Sequence, residues 1–189
     1  GGDISSSVSG LVISISALGE INENNMVKRN GAEENDLIVV SGDLGGAYMG
    51  LTVLQREKEV WKSNPNMQPE LDNFNYVLER QLKPEARKDI IEFLADRKIK
   101  PTSMIDISDG LFDDLEKLIN KQKLNYYIEL DKIPISKSLK SIIHKSKINK
   151  IKFVSNGDDY QILFTANKNK SRIIQKISSE LSIKITKIG

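Results

Sequence analysis

The spacing of apolar residues divides the chain into short strands and amphipathic helices. Residues 10–18 (SGLVISISA) alternate, with Leu11, Ile13, Ile15 and Ala17 on one side and Val12, Ser14 and Ser16 on the other, which predicts a strand. A polar segment rich in Asn and Glu follows from 19 to 35 and reads as an inter-domain linker. The run 36–41 (DLIVVS), closed by Gly42, predicts a short buried strand. From 47 to 62, Met49, Val53, Val60 and Trp61 recur at helical spacing, which puts Met49 and Trp61 in the core, and 64–66 (NPN) breaks the helix. Two more helices are predicted over 70–80 and 85–97, with Pro84 between them suited to a first helical turn. A strand over 103–107 runs directly into a helix over 111–120 that carries Leu111, Leu115 and Leu118 on one face. A strand over 126–130, a helix over 138–145, a strand over 160–165, a helix over 170–180 and a last strand over 182–188 complete the pattern. Strands and helices mix without strict alternation, and no internal repeat is visible. The predicted class is α+β (mixed α/β) with one main sheet.

Length and composition narrow this further. The 189 residues suit one domain, or one domain with part of a second. The chain opens on Gly1-Gly2-Asp3 with neither an initiator Met nor a signal-peptide pattern, and it stops at Ile188-Gly189, so both ends read as cut from a longer protein. No apolar run approaches the roughly 18–20 residues of a membrane span. The lack of cysteine excludes disulfides, thiol nucleophiles and thiolate metal sites, and it is compatible with a reducing cytoplasm. The single histidine, His144, lies in a lysine-rich helical stretch that reads as surface, which removes multi-histidine zinc sites and disfavours a Ser-His-Asp triad. Carboxylates, backbone amides, hydroxyls and hard metal ions are the chemistry that remains.

The net charge of +2 hides an asymmetry: nine Lys/Arg against fifteen Asp/Glu in residues 1–94, and nineteen against eleven in the rest. Six lysines between Ser136 and Lys152 come without arginine or interleaved aromatics, which is a solvated surface rather than a nucleic-acid footprint.

Four glycine- and carboxylate-bearing motifs stand out. Gly1-Gly2-Asp3 allows a backbone to approach a phosphate while the carboxylate holds a cation, and it equally makes an ordinary turn. The loop 41–46 (SGDLGG) at a strand-to-helix junction either cradles an anion or simply turns the chain, and it is neither a Walker A loop nor a G-x-G-x-x-G motif. The sharpest signal is 106–110 (DISDG). Asp106 and Ser108 point to one side of an extended segment, and Asp109 sits where the next helix begins. Two carboxylates and a hydroxyl at one strand end suit Mg²⁺. Capping by Ser108 or Asp109, with Asp113 and Asp114 in the first turn, is the alternative. Capping alone leaves Asp106 in an apolar strand unexplained, so the metal reading is favoured. Finally, 156–160 (NGDDY) offers adjacent carboxylates after a glycine, although Asn-Gly by itself signals a hairpin turn.

Taken together, these segments resemble thiamine-monophosphate kinase, a family of the aminoimidazole-ribonucleotide-synthetase superfamily. The resemblance rests on six collinear stretches: GGDISS (1–6), ISALGE (15–20), KRNGAEENDLIVVSGDLG (28–45), LERQLKPEAR (78–87), SMIDISDGL (103–111) and NGDDYQILFT (156–165). It implies ATP-dependent phosphoryl transfer to thiamine monophosphate, giving thiamine pyrophosphate, with several Mg²⁺ ions, a cytoplasmic homodimer and no nucleic-acid or membrane partner. By motif, Gly2, Asp3, Arg29 and Ser108 correspond to ATP contacts, and Asp3, Asp106 and Asp109 to Mg²⁺ ligands, with Asp109 in the catalytic role. Asp158 falls where the family has a substrate-binding glutamate, one methylene longer.

The resemblance also sets the expected organisation. Residues 1–23 correspond to the last strand and end of an ATP- and Mg²⁺-binding, dimer-forming N-terminal domain, and 24–189 to the C-terminal domain. The family carries a further acidic segment before Gly-Gly-Asp and an aromatic residue near its C-terminus, so the chain alone is expected to be inactive. A sibling ATP-dependent enzyme of purine synthesis and a non-catalytic nucleotide-binding domain are the alternatives.

Overall fold

A computed structural model describes residues 10–97, 99–119, 122–180 and 184–189. Four strands form one antiparallel sheet: β1 (Leu37–Ser41), β2 (Ser103–Asp106), β3 (Ile162–Ala166) and β4 (Ile185–Lys187), in the order β2-β3-β1-β4. Strand β1 is buried along its whole length, as a strand with neighbours on both edges and helices on both faces must be. Its alternate residues feed two cores. Ile38 and Val40 pack with Ile105 and Leu163 under α4 (Leu111–Ile119), which contributes Leu111, Leu115 and Leu118. Leu37 and Val39 pack with Phe164 against α3 (Lys88–Asp96) and α7 (Ser171–Glu180). A third cluster joins α1 (Gly46–Ser63) and α2 (Asn75–Leu82) to α5 (Lys137–Ser146) and α6 (Ile151–Val154). The register sets Asp106 beside Ile162, and Ser41 beside Ile185, at one end of the sheet. Every sequence motif among the described residues that bears carboxylates after a glycine or a strand converges on that end.

The structure corrects several expectations. Residues 10–18 form no strand: Leu11, Val12, Ile13, Ile15 and Leu18 are exposed, and the segment pairs with no described strand. Alternation prepares a chain for a sheet, but a ladder needs a neighbour. Residues 126–129 are likewise not a strand. They touch the β4 side through one backbone bond, Glu129 N–H to the Ile188 carbonyl (2.8 Å), before a 3₁₀ turn at Leu130–Lys132. Helix α2 starts at Asn75 rather than 70, and Pro84 lies outside any regular element, ahead of α3 instead of in its first turn. Met49 is core, whereas Trp61 is 52% exposed near the end of α1, because the helix outruns the cluster it packs on. Among the described residues, no helix is long and apolar enough to cross a membrane.

Candidate active site

Beyond the last paired residues of β2 and β3 the backbones stay joined. The Ile107 N–H donates to the Gln161 carbonyl (2.8 Å), Tyr160 N–H to the Ile107 carbonyl (2.8 Å), and Asp158 N–H to the Ser108 carbonyl (3.0 Å). Loops 107–110 and 155–160 are therefore one laddered unit. Two glycines make the approach close enough: a Cβ on Gly157 would overlap the Ser108 carbonyl oxygen, and one on Gly110, at φ +122°, would overlap that of Ser155. Gly157→Ala is expected to cost about 1–3 kcal/mol through forced separation of the loops. Chemical denaturation of the two proteins checks it, and equal midpoints would show that the loops part freely.

The N-terminus of α4 is closed from within. Asp114 is fully buried, and its Oδ2 accepts N–H bonds from Ser108 (3.0 Å), Asp109 (2.9 Å) and Gly110 (3.2 Å). Its Oδ1 pairs with Lys117 Nζ at 2.8 Å, and the same ammonium contacts Asp109 Oδ2. Those two hydrogen bonds hold the Lys117 charge well above the ordinary lysine range. Capping thus falls to Asp114, not to Ser108 or Asp109: the Asp106 and Ser108 side chains make no bond to the helix among the described residues, and the Asp109 side chain meets it only through Lys117. Asp106 is half-buried, and nothing among the described residues bonds to its carboxylate.

The loop 41–46 also holds an anion, and that anion is internal. Gly45 N–H donates to Asp159 Oδ2 (2.6 Å) and Ala47 N–H to Oδ1 (3.2 Å), so the carboxylate occupies the α1 N-terminus. Arg80 from α2 donates to the Asp159 carbonyl (2.9 Å) and the Asp43 carbonyl (3.3 Å), and it pairs with Asp159 Oδ1 at 3.4 Å. The Gln161 amide, oriented from its hydrogen-bond network, accepts from Arg80 at 2.7 and 3.2 Å and donates to Ser41 Oγ at 2.9 Å. Burial pushes the Asp159 carboxyl up to about 6, against the opposing pull of the Gly45 N–H, the Arg80 charge and the Ala47 N–H. Tyr76 donates to Asp43 Oδ2 (2.6 Å), and burial together with that carboxylate raises its phenol well above the usual range.

Of the residues singled out in the sequence, Asp106, Ser108, Asp109 and Asp158 share this one loop unit. Asp158, at φ 66°, is exposed, whereas its neighbour Asp159 is 1% exposed. Arg29 is exposed beside the β2 edge, where the adjacent Lys28 carbonyl accepts from the Met104 N–H (3.2 Å). Gly2 and Asp3 lie outside the described residues. Among the described residues, no group of three or more carboxylate or imidazole side chains is gathered as a metal cage. Sequence reasoning missed Arg80, Lys117 and Gln161, and it read Asp114 only as a favourable helix charge. Polar residues inside otherwise helical or strand segments were the available signal.

No family model matches the chain. It is 35% identical over 191 residues to a thiamine-monophosphate kinase of Buchnera aphidicola from Schizaphis graminum, covering 100% of this chain and 54% of that protein. The structure superimposes on the thiamine-monophosphate kinase of Stenotrophomonas maltophilia K279a with TM-score 0.73 and 25% identity, over 89% of this chain and 51% of that one. It superimposes on AaThiL complexed with AMPPCP and TMP with TM-score 0.67 and 32% identity, over 86% and 47%. A likeness to PurLQS of Thermotoga maritima, at 11% identity and TM-score 0.55, concerns the fold alone. The fold is therefore that of the aminoimidazole-ribonucleotide-synthetase class, represented here by its mixed α/β unit around one antiparallel sheet. Within that class the sequence is similar to thiamine-monophosphate kinases, and the chain spans about half the length of those relatives.

Proposed function

We propose that this chain serves the ATP-dependent phosphorylation of thiamine monophosphate to thiamine pyrophosphate, with residues 24–189 as the C-terminal domain and 1–23 as the end of a preceding one. The observation that carries the reading is the laddered pair of loops, which puts Asp106, Ser108 and Asp109 next to the Asp158 turn. Its scaffold superimposes on a relative complexed with AMPPCP and TMP. A phosphate oxygen of thiamine monophosphate attacks the γ-phosphorus, the bond to the β-phosphate oxygen breaks, and ADP leaves. The nucleophile is already anionic at neutral pH, so the protein's task is positioning and charge neutralisation.

In this reading Gly2, Asp3, Arg29 and Ser108 contact ATP, and Asp158 contacts thiamine monophosphate. Asp3, Asp106 and Asp109 would hold Mg²⁺, with Asp109 in the catalytic role. The described donors fit such an ion: among the described residues Asp106 has no side-chain partner, Asp109 is exposed and paired only with Lys117, and Mg²⁺ takes one or two carboxylates with phosphate oxygens and water. When bound, the ion neutralises charge on the phosphates. A homodimer in the cytoplasm belongs to the same reading.

The experiment is phosphoryl transfer from ATP to thiamine monophosphate, assayed on the chain alone and on the chain joined to the N-terminal half of AaThiL. Turnover is expected of the joined protein and not of the chain by itself. A well-folded joined protein without turnover would overturn the reading. In the joined protein, Asp158→Ala is expected to raise KM for thiamine monophosphate about tenfold, the cost of one charged hydrogen bond, with KM for ATP unchanged. Parallel shifts in both constants would place Asp158 outside the acceptor site.

A further inference from the structure

Lys117 stands in an unusual place for a helix lysine. Its ammonium bridges Asp114 Oδ1, one turn earlier on α4, and Asp109 Oδ2 on the loop that precedes the helix. The two carboxylates differ in what they need. Asp114 is fully buried, and three backbone N–H groups already occupy its Oδ2, so it keeps Lys117 as a permanent partner. The Asp109 side chain is 61% exposed, and Lys117 is its only side-chain partner among the described residues. Asp106, three residues earlier, has no such partner.

We propose that Lys117 is a built-in counter-cation of the 106–109 loop, so that a divalent cation reaches Asp109 only by displacing the ammonium. This rests on the reading of Asp106 and Asp109 as ligands of a hard cation. Without an ion, the ammonium offsets repulsion between the Asp109 and Asp114 carboxylates that it bridges. As a divalent ion approaches, the Asp109 contact is the one that yields, because it is solvent-screened and held by a flexible stem. The Asp114 contact survives and keeps the ammonium close by. Lys117 then sets how much divalent ion the loop requires, without touching substrate. A carboxylate with no internal cation would take the ion more readily but would carry unbalanced charge when empty.

The test measures Mn²⁺ binding to the 189-residue chain at fixed ionic strength, from the electron paramagnetic resonance signal of free Mn²⁺. Lys117→Met is expected to tighten binding about fivefold, the range of an exposed ion pair. Lys117→Arg, which keeps the charge, is expected to stay within about twofold of wild type by the same range. In an Asp109→Asn background, Lys117→Met should change nothing, since the competing contact is already gone. Thermal melts of each variant separate these effects from loss of fold. Unchanged or weaker Mn²⁺ binding in a folded Lys117→Met protein overturns the proposal, as does an equal gain in the Asp109→Asn background. If Asp106→Asn and Asp109→Asn leave wild-type Mn²⁺ binding unaltered, or no binding is found, the metal reading falls and takes this proposal with it. If those two variants weaken binding while Lys117→Met has no effect, only the counter-cation role is lost.

Discussion

Asp159→Ala is expected to remove about 3–5 kcal/mol of stability, the cost of leaving one member of a buried ion pair alone. The carboxylate satisfies Gly45 and Ala47 N–H at the start of α1 and pairs with Arg80. Alanine leaves both donors and the guanidinium charge without that acceptor, in a position 1% exposed. Urea denaturation measures the loss, and a change below about 1 kcal/mol would show that other acceptors close the gap. The pH dependence provides an independent check. With its carboxyl raised from 3.8 to about 6, folded Asp159 binds a proton more readily than the unfolded chain does. The stability due to that proton is fully present below pH 3.8 and is lost as pH rises through about 6. The loss over that window is on the order of 3 kcal/mol. Asp159→Asn is expected to be less stable than wild type yet lack this slope. Parallel profiles for the two proteins would mean that Asp159 does not titrate there.

The second large effect is catalytic. In the chain joined to the N-terminal half of a relative, Asp106→Asn and Asp109→Asn are each expected to lower kcat/KM at least about 100-fold, the scale of losing a transition-state charge contact. The loss should be greatest at limiting Mg²⁺, since each substitution takes a formal charge from a polyphosphate site. Thermal melting should move little, because nothing among the described residues bonds to Asp106, and Asp109 is tied only to a solvent-facing lysine. Unchanged activity at limiting Mg²⁺ in either variant would remove that residue from the site.

How much of this was readable beforehand follows from which interactions are local. The helices α1, α4, α5 and α7 and the strands β1 and β2 showed in the apolar spacing because a face that packs must repeat with the element's own period. Segments 10–18 and 126–129 carried strand-like patterns too, but pairing depends on a distant partner that periodicity does not encode. Within the site, the carboxylates at 106 and 109 were legible because they interrupt an apolar strand and its exit. Which of Asp158 and Asp159 faces solvent was not. The two are identical in type and adjacent, and left-handed backbone at Asp158 and Tyr160 turns one outward and the other into the core. Asp114 was hidden in the same way, since only the folded loop shows its carboxylate reaching back to three amides.

The two filled helix N-termini bear on the thermodynamics of ligand capture. Amides that would otherwise wait for an incoming phosphate are already bonded to Asp159 and Asp114. Free sulfate or phosphate therefore finds no vacancy at either helix, and the loops do not have to freeze around a visitor. The conformational entropy of ordering them is surrendered during folding rather than during association. A nucleotide meeting this surface would bind with a small entropic penalty from the backbone, and slow amide hydrogen exchange at residues 108–110 should be much the same before and after it arrives.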